Sequence, residues 1–585
     1  MNKTWDLTIL YRGFDDPELL ADVNTLDSKI RELHEFRESA ESLSSEDFLV
    51  GFLRLNEELS ELLEKLFIYS NLRYSANTQD AEAASTMGVL MGKMSATAAD
   101  RAALEKMIAK VEGIDEIISK NDYLREHEYM ITSIVRDSKY LLSDAEEELF
   151  AEMNISGASA WSDLQSALTS TVKVDYNGEN ITLSAVRNLA YDPSPEVRKS
   201  AYEAELSAYE GIKTSVAYAL NSIKHQAIGE ARRRGYDSPL DKALHSSRME
   251  KETLEALISA MEEYLPTFRK YLRAKAKALG HNGGLPFYDL FAPMGKSDKK
   301  YTTEDARDYL LSIFGKFDSE LHDMVKEAFD NSWIDFYPRE GKVGGAFDCA
   351  VHAAGQSRVL TNFDGSFSDV VTLAHELGHS FHDRQVYKNS PLNRDYSMPV
   401  AETASTFNEV LVMSTAIAEA TDKGEKIALL ESMLMDATQV IVDIYSRYTF
   451  EASVFENRPT EFMGADRMCE LMIAAQKKAY GEGLDENIMH PYMWLCKGHY
   501  YSGGLSFYNY PYAFGLLFAR GLYAKYKAEG KSFTDTYKKV LRATGTSSCE
   551  DAARLAGIDL TDKDFWRRGL ASIAEQIDEF VELLK

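Results

Sequence analysis

The stretch Val370–Arg384, VVTLAHELGHSFHDR, decides how the rest of the chain is read. It contains His375-Glu376-Leu377-Gly378-His379, the pattern H-E-x-x-H. On a helix, positions i and i+4 share one face, one turn apart. That spacing lets His375 and His379 aim imidazole nitrogens at one small cation. Glu376 is rotated off the ligand pair but can still reach a water on that cation. Zinc with three protein ligands and one water is a hydrolytic device, and this pattern supplies two ligands and a base. The flanks predict a helix. Ser366 or Ser368 can cap its start, Asp369 suits the first turn, and Asn389-Ser390-Pro391 ends it. Val371, Ala374, Leu377, Gly378 and Phe381 form its apolar side. Gly378 weakens a helix by about 1 kcal/mol against alanine, which points to close approach by another backbone.

The third ligand should lie downstream. A metzincin needs Gly at position 382 and His at 385, but the chain has His382 and Gln385. A carboxylate from a following helix is the alternative. Ser397-Met398-Pro399-Val400-Ala401-Glu402 reads as such a helix start, with Ser397 as cap and Pro399 in the first turn. Glu402 and Glu409 then stand two turns apart on one face, and either could be the ligand with the other as its support.

These residues carry a resemblance. HELGHSFH followed by MPVAETASTFNE resembles the M3 family of zinc metallopeptidases, and within it the oligoendopeptidase F branch rather than the thimet oligopeptidase branch. The resemblance makes Glu402 the third zinc ligand, with one Zn2+ per chain, and leaves Glu409 as the residue that supports the ligands. His382 is expected to be packed or to support the ligand face. The family also implies a mostly α-helical fold of two lobes around a deep groove, with a small sheet near 333 to 363 beside the metal helix. The implied reaction is hydrolysis of internal bonds in short peptides, with Glu376 as general base. A related helical metallocarboxypeptidase and a non-catalytic peptide-binding protein are the alternative readings.

Composition bounds these expectations. A chain of 585 residues can bury a large core. A net charge of −28 argues against nucleic acid as partner. Cys349, Cys469, Cys496 and Cys549 are scattered without a C-x-x-C pair, which suits a reducing cytoplasm. No apolar run approaches membrane-spanning length, and MNKTWDLTILYRGFDD has no secretory apolar core. The expected location is therefore cytoplasmic. Oligomeric state is not legible.

Along the chain, Phe52, Leu55, Leu59, Leu62 and Leu66 form a helical stripe. Met87, Leu90, Met91 and Met94 form another, expected to pack in the core. Thr169–Tyr176 favours strand, and Asn177-Gly178 predicts a hairpin, KVDYNGENITL. Asp192-Pro193-Ser194-Pro195 begins a helix and resembles the family's joint between an amino-terminal region, 1–200, and a catalytic region, 201–585. One helix is expected over Thr303 to Asn331.

Two further segments carry site expectations. Gly344-Gly345-Ala346-Phe347 resembles the family's strand that pairs with the substrate backbone. Glycines at a strand edge admit another backbone, although a plain bulge would look the same. Lys497–Gly515, KGHYYSGGLSFYNYPYAFG, concentrates His499 and several tyrosines around Gly503-Gly504 and reads as a mobile loop. The resemblance implies a histidine and a tyrosine facing the scissile carbonyl. His499 and Tyr510 are the favoured pair, with Tyr508 and Tyr512 in reserve.

Overall fold

The computed structural model describes residues 3–295 and 299–585. The chain is 72% helix and 4% strand, a mostly α fold. Its apolar residues condense into two clusters. One draws on the helices up to Ile131, including Phe52, Leu59 and Leu66 from the long helix Ser45–Ala76. The other runs from Ala158 to Phe580 and holds the apolar side of the helix Phe367–Val386.

A three-stranded sheet lies between the two clusters. Its strands are numbered after β1 (Lys173–Tyr176) and β2 (Glu179–Thr182), which form the expected hairpin. The order is β3 (Ile334–Asp335), β5 (Gln356–Leu360), β4 (Phe347–Val351), with β3 parallel and β4 antiparallel to β5. Successive side chains on a strand point to opposite faces. Accordingly Val359 joins the larger cluster, while Leu360 and Val351 join the amino-terminal one. The sheet is thus a seam with apolar contacts on both sides, and the helix Phe367–Val386 follows β5 directly.

The hairpin turn matches its sequence. Asn177 and Gly178 both take positive φ, at 55° and 83°, as a two-residue turn of the mirror-image type requires. Thr169–Thr171, however, closes the helix Ala160–Thr171 instead of starting the strand. There the threonine hydroxyls bond back to carbonyls four residues earlier, Thr169 to Gln165 and Thr171 to Ala167. The helix expected over Thr303 to Asn331 is two, Thr303–Phe317 and Ser319–Asp330. Asp318 leaves the helical conformation between them, and its carboxylate accepts the N–H groups of Glu320 and Leu321. Of the methionine stripe only Leu90 is buried; Met91 and Met94 are more than half exposed.

Candidate active site

The helix Phe367–Val386, here the histidine helix, begins with a reciprocal cap. The Ser366 hydroxyl accepts the Asp369 N–H, and the Asp369 carboxylate accepts the Ser366 N–H. Against it lies the glutamate helix, Thr403–Glu419, preceded by a single turn, Met398–Ala401. Glu402 is the hinge residue between turn and helix, with φ −85° and ψ 8°. Ser397 stands where a cap was expected, but its hydroxyl makes no capping bond and meets Cys549 Sγ instead. Gly378 has the role its helix position implied. A Cβ there would stand 2.5 Å from Ser405 Cα and 2.6 Å from the Ala404 carbonyl oxygen. The two helices therefore touch backbone to backbone, and Asn408 Nδ2 ties them by donating to the Ala374 carbonyl.

This contact carries Glu402 onto the two histidines. His375 Nε2 and His379 Nε2 are 3.2 Å apart, and each is 3.3 Å from Glu402 Oε2. A tetrahedral ion with bonds of about 2.0 Å separates its ligand atoms by about 3.3 Å. The triangle thus has the edge lengths of three zinc ligands. The donor set, two imidazoles and a carboxylate, is also one that zinc takes at catalytic sites. Glu409 Oε1 accepts the Nδ1–H of His375 at 2.8 Å. That fixes the ring's orientation and turns Nε2 to the triangle. Burial would lower the His375 pKa, but the bonds to Glu402 and Glu409 win and hold it well above its ordinary value. Burial likewise opposes ionisation of Glu402, yet the two imidazoles hold its carboxylate far below the usual range.

Glu376 is buried. Burial raises its pKa, with His375 and His379 opposing. Behind it stands β4. The Asp348 backbone N–H bonds to Glu376, and the Asp348 side chain accepts the Ser380 hydroxyl of the histidine helix at 2.5 Å. His382 is fully buried beneath the same helix, stacked on Tyr396 at 4.1 Å and bonded through Nε2 to the Thr544 hydroxyl. It is packed, not part of the triangle.

A cavity of about 1040 Å³ opens from this site, with His375, Glu402, Glu409 and Tyr512 among its lining residues. Tyr512 stands in the first turn of the helix Tyr510–Glu529, which packs on the glutamate side of the site. A Cβ at Gly515 would lie 2.9 Å from Glu402 Cβ.

The profile of Peptidase family M3 matches residues 188–572, and that of Oligopeptidase F matches residues 110–173. The chain belongs to peptidase family M3. Bacillus subtilis oligopeptidase PepF is 26% identical over 92% of this chain and 82% of its own length. The oligoendopeptidase F homolog of Lactococcus lactis is also 26% identical, over 100% and 97%. Among solved structures, oligoendopeptidase-F from Enterococcus faecium shares the fold with TM-score 0.71, at 18% identity over 96% of this chain and 99% of the other. A chain from Chlamydophila abortus does so with TM-score 0.86, at 22% identity over 99% and 98%. The M3 peptidases are metallopeptidases that act on peptides, and this chain is one of them. No helix among the described residues is long and apolar enough to cross a membrane.

The tyrosine-rich segment of this M3 peptidase sorts its residues in a way the sequence did not disclose. Tyr510 is buried, and its hydroxyl is bonded to Ser247 Oγ at 2.9 Å. It lines a separate pocket with Ser247, Met398, Gly503 and Tyr508, and no residue of the triangle lines that pocket. Tyr508 and Tyr512 cluster with His499, at ring separations of 5.1 Å and 6.1 Å from the imidazole, and of the three tyrosines only Tyr512 lines the cavity of the triangle. Burial first, then Tyr508 and the Glu402 charge, push the Tyr512 hydroxyl up to about 12, so it remains a donor. Burial, with Arg447 and Lys497 nearby, holds the His499 pKa below its ordinary value. The segment is anchored. Glu451, in a buried pair with Lys224 at 2.6 Å, accepts the Phe507 N–H and Asn509 Nδ2. Gly503 is pressed on Ala158, 2.5 Å from where a Cβ would sit.

The glycine segment begins outside the sheet. Gly344 and Gly345 form a bend, Gly345 at φ +79°, and of the four residues only Phe347 belongs to β4. Asn362 Nδ2 holds the bend by donating to the carbonyls of Val343 and Gly345. A Cβ at Gly344 or Gly345 would meet nothing within 4 Å. Beyond Phe347, β4 runs half-buried along the sheet edge, its outer side unpaired among the described residues. Sequence reasoning missed Asp348, whose backbone supports Glu376, and Asn408, which joins the two helices. Neither has a local signal, because each acts through a main-chain contact with a distant segment.

Proposed function

We propose that this M3 peptidase is a zinc-dependent endopeptidase of short peptides. The observation that carries it is the His375–His379–Glu402 triangle, whose 3.2 and 3.3 Å edges suit one tetrahedral ion. These three residues would hold zinc, which when bound supplies a Lewis acid for the carbonyl and makes water nucleophilic near neutral pH. Glu376 takes the proton of the attacking water and returns it to the leaving nitrogen. Its burial, which raises its proton affinity, favours that task. Glu409 holds the His375 ring by its Nδ1–H. Tyr512, with Tyr508 and His499 beside it, donates to the developing oxyanion. This role passes to Tyr512 from Tyr510, whose hydroxyl is occupied by Ser247. The unpaired edge of β4 receives the extended substrate, with Gly344, Gly345 and Ala346 leaving room at its start. In this reading residues 201–585 carry the hydrolytic machinery and residues 1–200 complete the groove.

The test is Glu376→Gln. The variant should retain one zinc per chain by metal analysis and bind peptide. Its hydrolysis of an internally quenched peptide should fall by about 10²- to 10⁴-fold. Retention of parental activity would remove Glu376 from the reaction.

A further inference from the structure

Along the helix Tyr510–Glu529, Tyr512, Leu516 and Arg520 recur every four residues and all line the large cavity. Arg520 is 6% exposed. Its Nη1 donates to Ser572 Oγ at 3.0 Å and to Gln576 Oε1 at 3.1 Å, both on the last helix, Lys563–Leu583. Its Nη2 meets only Met433 Sδ at 3.4 Å, and its Nε has no hydrogen-bond partner. A thioether is a weak acceptor. The unfilled groups, Nε and Nη2, form the side-on fork with which a guanidinium takes a carboxylate through two parallel bonds.

Three buried cations are paired with acids, Lys224 with Glu451, Lys275 with Glu431 and Arg198 with Asp289. Arg358 has no acid within ion-pairing reach among the described residues but fills its Nε and Nη1 with the Asp6 carbonyl, Gln356 Oε1 and the Ser357 carbonyl. Arg520 has no carboxylate within ion-pairing reach among the described residues. The acids that share its cavity are engaged otherwise. Glu402 is on the two histidines and Glu409 on His375 Nδ1. The Asp436 carboxyl is pushed up to about 7, by burial first and then by Glu409 and Glu431. A buried cation without a paired counter-charge is costly, and a ligand that supplies one lowers that cost. Lys299 and Lys300 line the same cavity and are exposed, which adds positive charge at its solvent side. Met433, which covers the fork, also lines the cavity, and a flexible methionine can yield to a ligand.

We propose that Arg520 forms a subsite for a substrate carboxylate, in the cavity that leads from the His375–His379–Glu402 triangle. The proposal rests on the peptidase reading above. Gly515, against Glu402, precedes Arg520 by five residues, or about 7 to 8 Å of helix, and Tyr512 precedes it by eight, or about 12 Å. An extended peptide advances about 3.3 Å per residue. The carboxylate therefore lies about two to four residues from the bond that is cut. That spacing fits release of a short fragment and not of a single residue. The carboxylate can be the peptide's own carboxy-terminus or an acidic side chain, since the fork reads both alike.

The experiment compares quenched peptides of one sequence that differ in one group alone: a free-acid or amidated carboxy-terminus, and Glu or Gln at each of the four positions on either side of the cut with both ends blocked. In the parent enzyme the free-acid peptide, or one Glu peptide, should have kcat/KM about 10- to 100-fold above its neutral twin, mainly through KM, as for a charged hydrogen-bonded pair. The arm that shows the preference names the source. Arg520→Met and Arg520→Gln should abolish the ratio while the neutral peptide is still cut. Loss of the contacts to Ser572 and Gln576 alone would lower both rates and leave the ratio intact. Equal rates for every pair in the parent enzyme, or a ratio that survives both substitutions, would overturn the proposal. Should no peptide be cut at all, the endopeptidase reading fails by itself. Calorimetric binding of the same pairs to the Glu376→Gln variant then decides the subsite: tighter binding of the carboxylate form supports it, and equal affinity refutes it.

Discussion

The ligand triangle and the tyrosine-rich segment are two walls of one site, held in place by opposite means. The triangle stands on two helices in backbone contact, Gly378 against Ser405, with the i, i+4 spacing of His375 and His379 setting two of its corners by itself. The tyrosines stand where an irregular segment becomes a helix. They are set by a buried Lys224–Glu451 pair that grips Phe507 and Asn509, and by a positive φ of 56° at Phe507. A periodic element makes a side chain's direction readable from its number. An irregular one makes neighbours with equal credentials diverge, as Tyr510 and Tyr512 do.

The largest effect expected from this contrast is in the triangle. Glu402→Ala should remove zinc and activity together, whereas a protein that keeps its metal in this variant would place the third ligand elsewhere. The tyrosine wall should respond selectively. Tyr512→Phe should lower kcat by about 10²- to 10³-fold with little change in zinc content. Tyr510→Phe, by contrast, should leave kcat near the parental value and cost about 1 kcal/mol of stability through the lost bond to Ser247. Steady-state kinetics on the two variants side by side would break the comparison if Tyr510 proved the more damaging. A smaller effect is expected one bond behind the triangle. Glu409→Ala should weaken zinc binding by about 10- to 100-fold in a chelator competition, since the His375 ring's orientation is no longer fixed.

The smallest effect concerns the layer beneath the histidine helix. Burial holds the His382 pKa down at about 4, against an ordinary 6.5. Between those values the unfolded chain takes up a proton that the folded chain refuses, so stability falls as pH drops through this window. From pH 7 to 5.5 the loss should be roughly 1 kcal/mol. Denaturant titrations of the parent and of His382→Gln should differ in pH slope by that amount. Parallel slopes would show that His382 does not titrate on unfolding.

What could be read from the sequence follows the same division. H-E-x-x-H, the close-packed Gly378 and the cap at Ser366 are local signals, and the structure has all three as expected. The break at Asp318 was hidden because the apolar period continues across it, and only a side chain turning back on the next N–H groups ends the helix. Thr169–Thr171 read as strand because threonine favours strands, but i−4 hydroxyl bonds let it finish a helix. Arg520 had a faint signal, its place four and eight residues after Leu516 and Tyr512 on one helix face. An arginine at that spacing is ordinarily a solvated residue, and nothing local says that its surroundings lack an acid.

The seam between the two apolar clusters raises a problem of register. A strand buried on one side is kept from slipping by its polar face, but Val359 and Leu360 are apolar neighbours with a core on each side. A one-residue slip of β5 would exchange them at little cost in polarity. Arg358 removes that freedom. It is 2% exposed, with Nε bonded to the Asp6 carbonyl and Nη1 to Gln356 Oε1 and the Ser357 carbonyl. Gln356 and Ser357 travel with β5, but slipping by one residue would carry the guanidinium off the Asp6 carbonyl and into the opposite core. A single cation on β5 thus indexes the sheet, and with it the start of the histidine helix at Phe367.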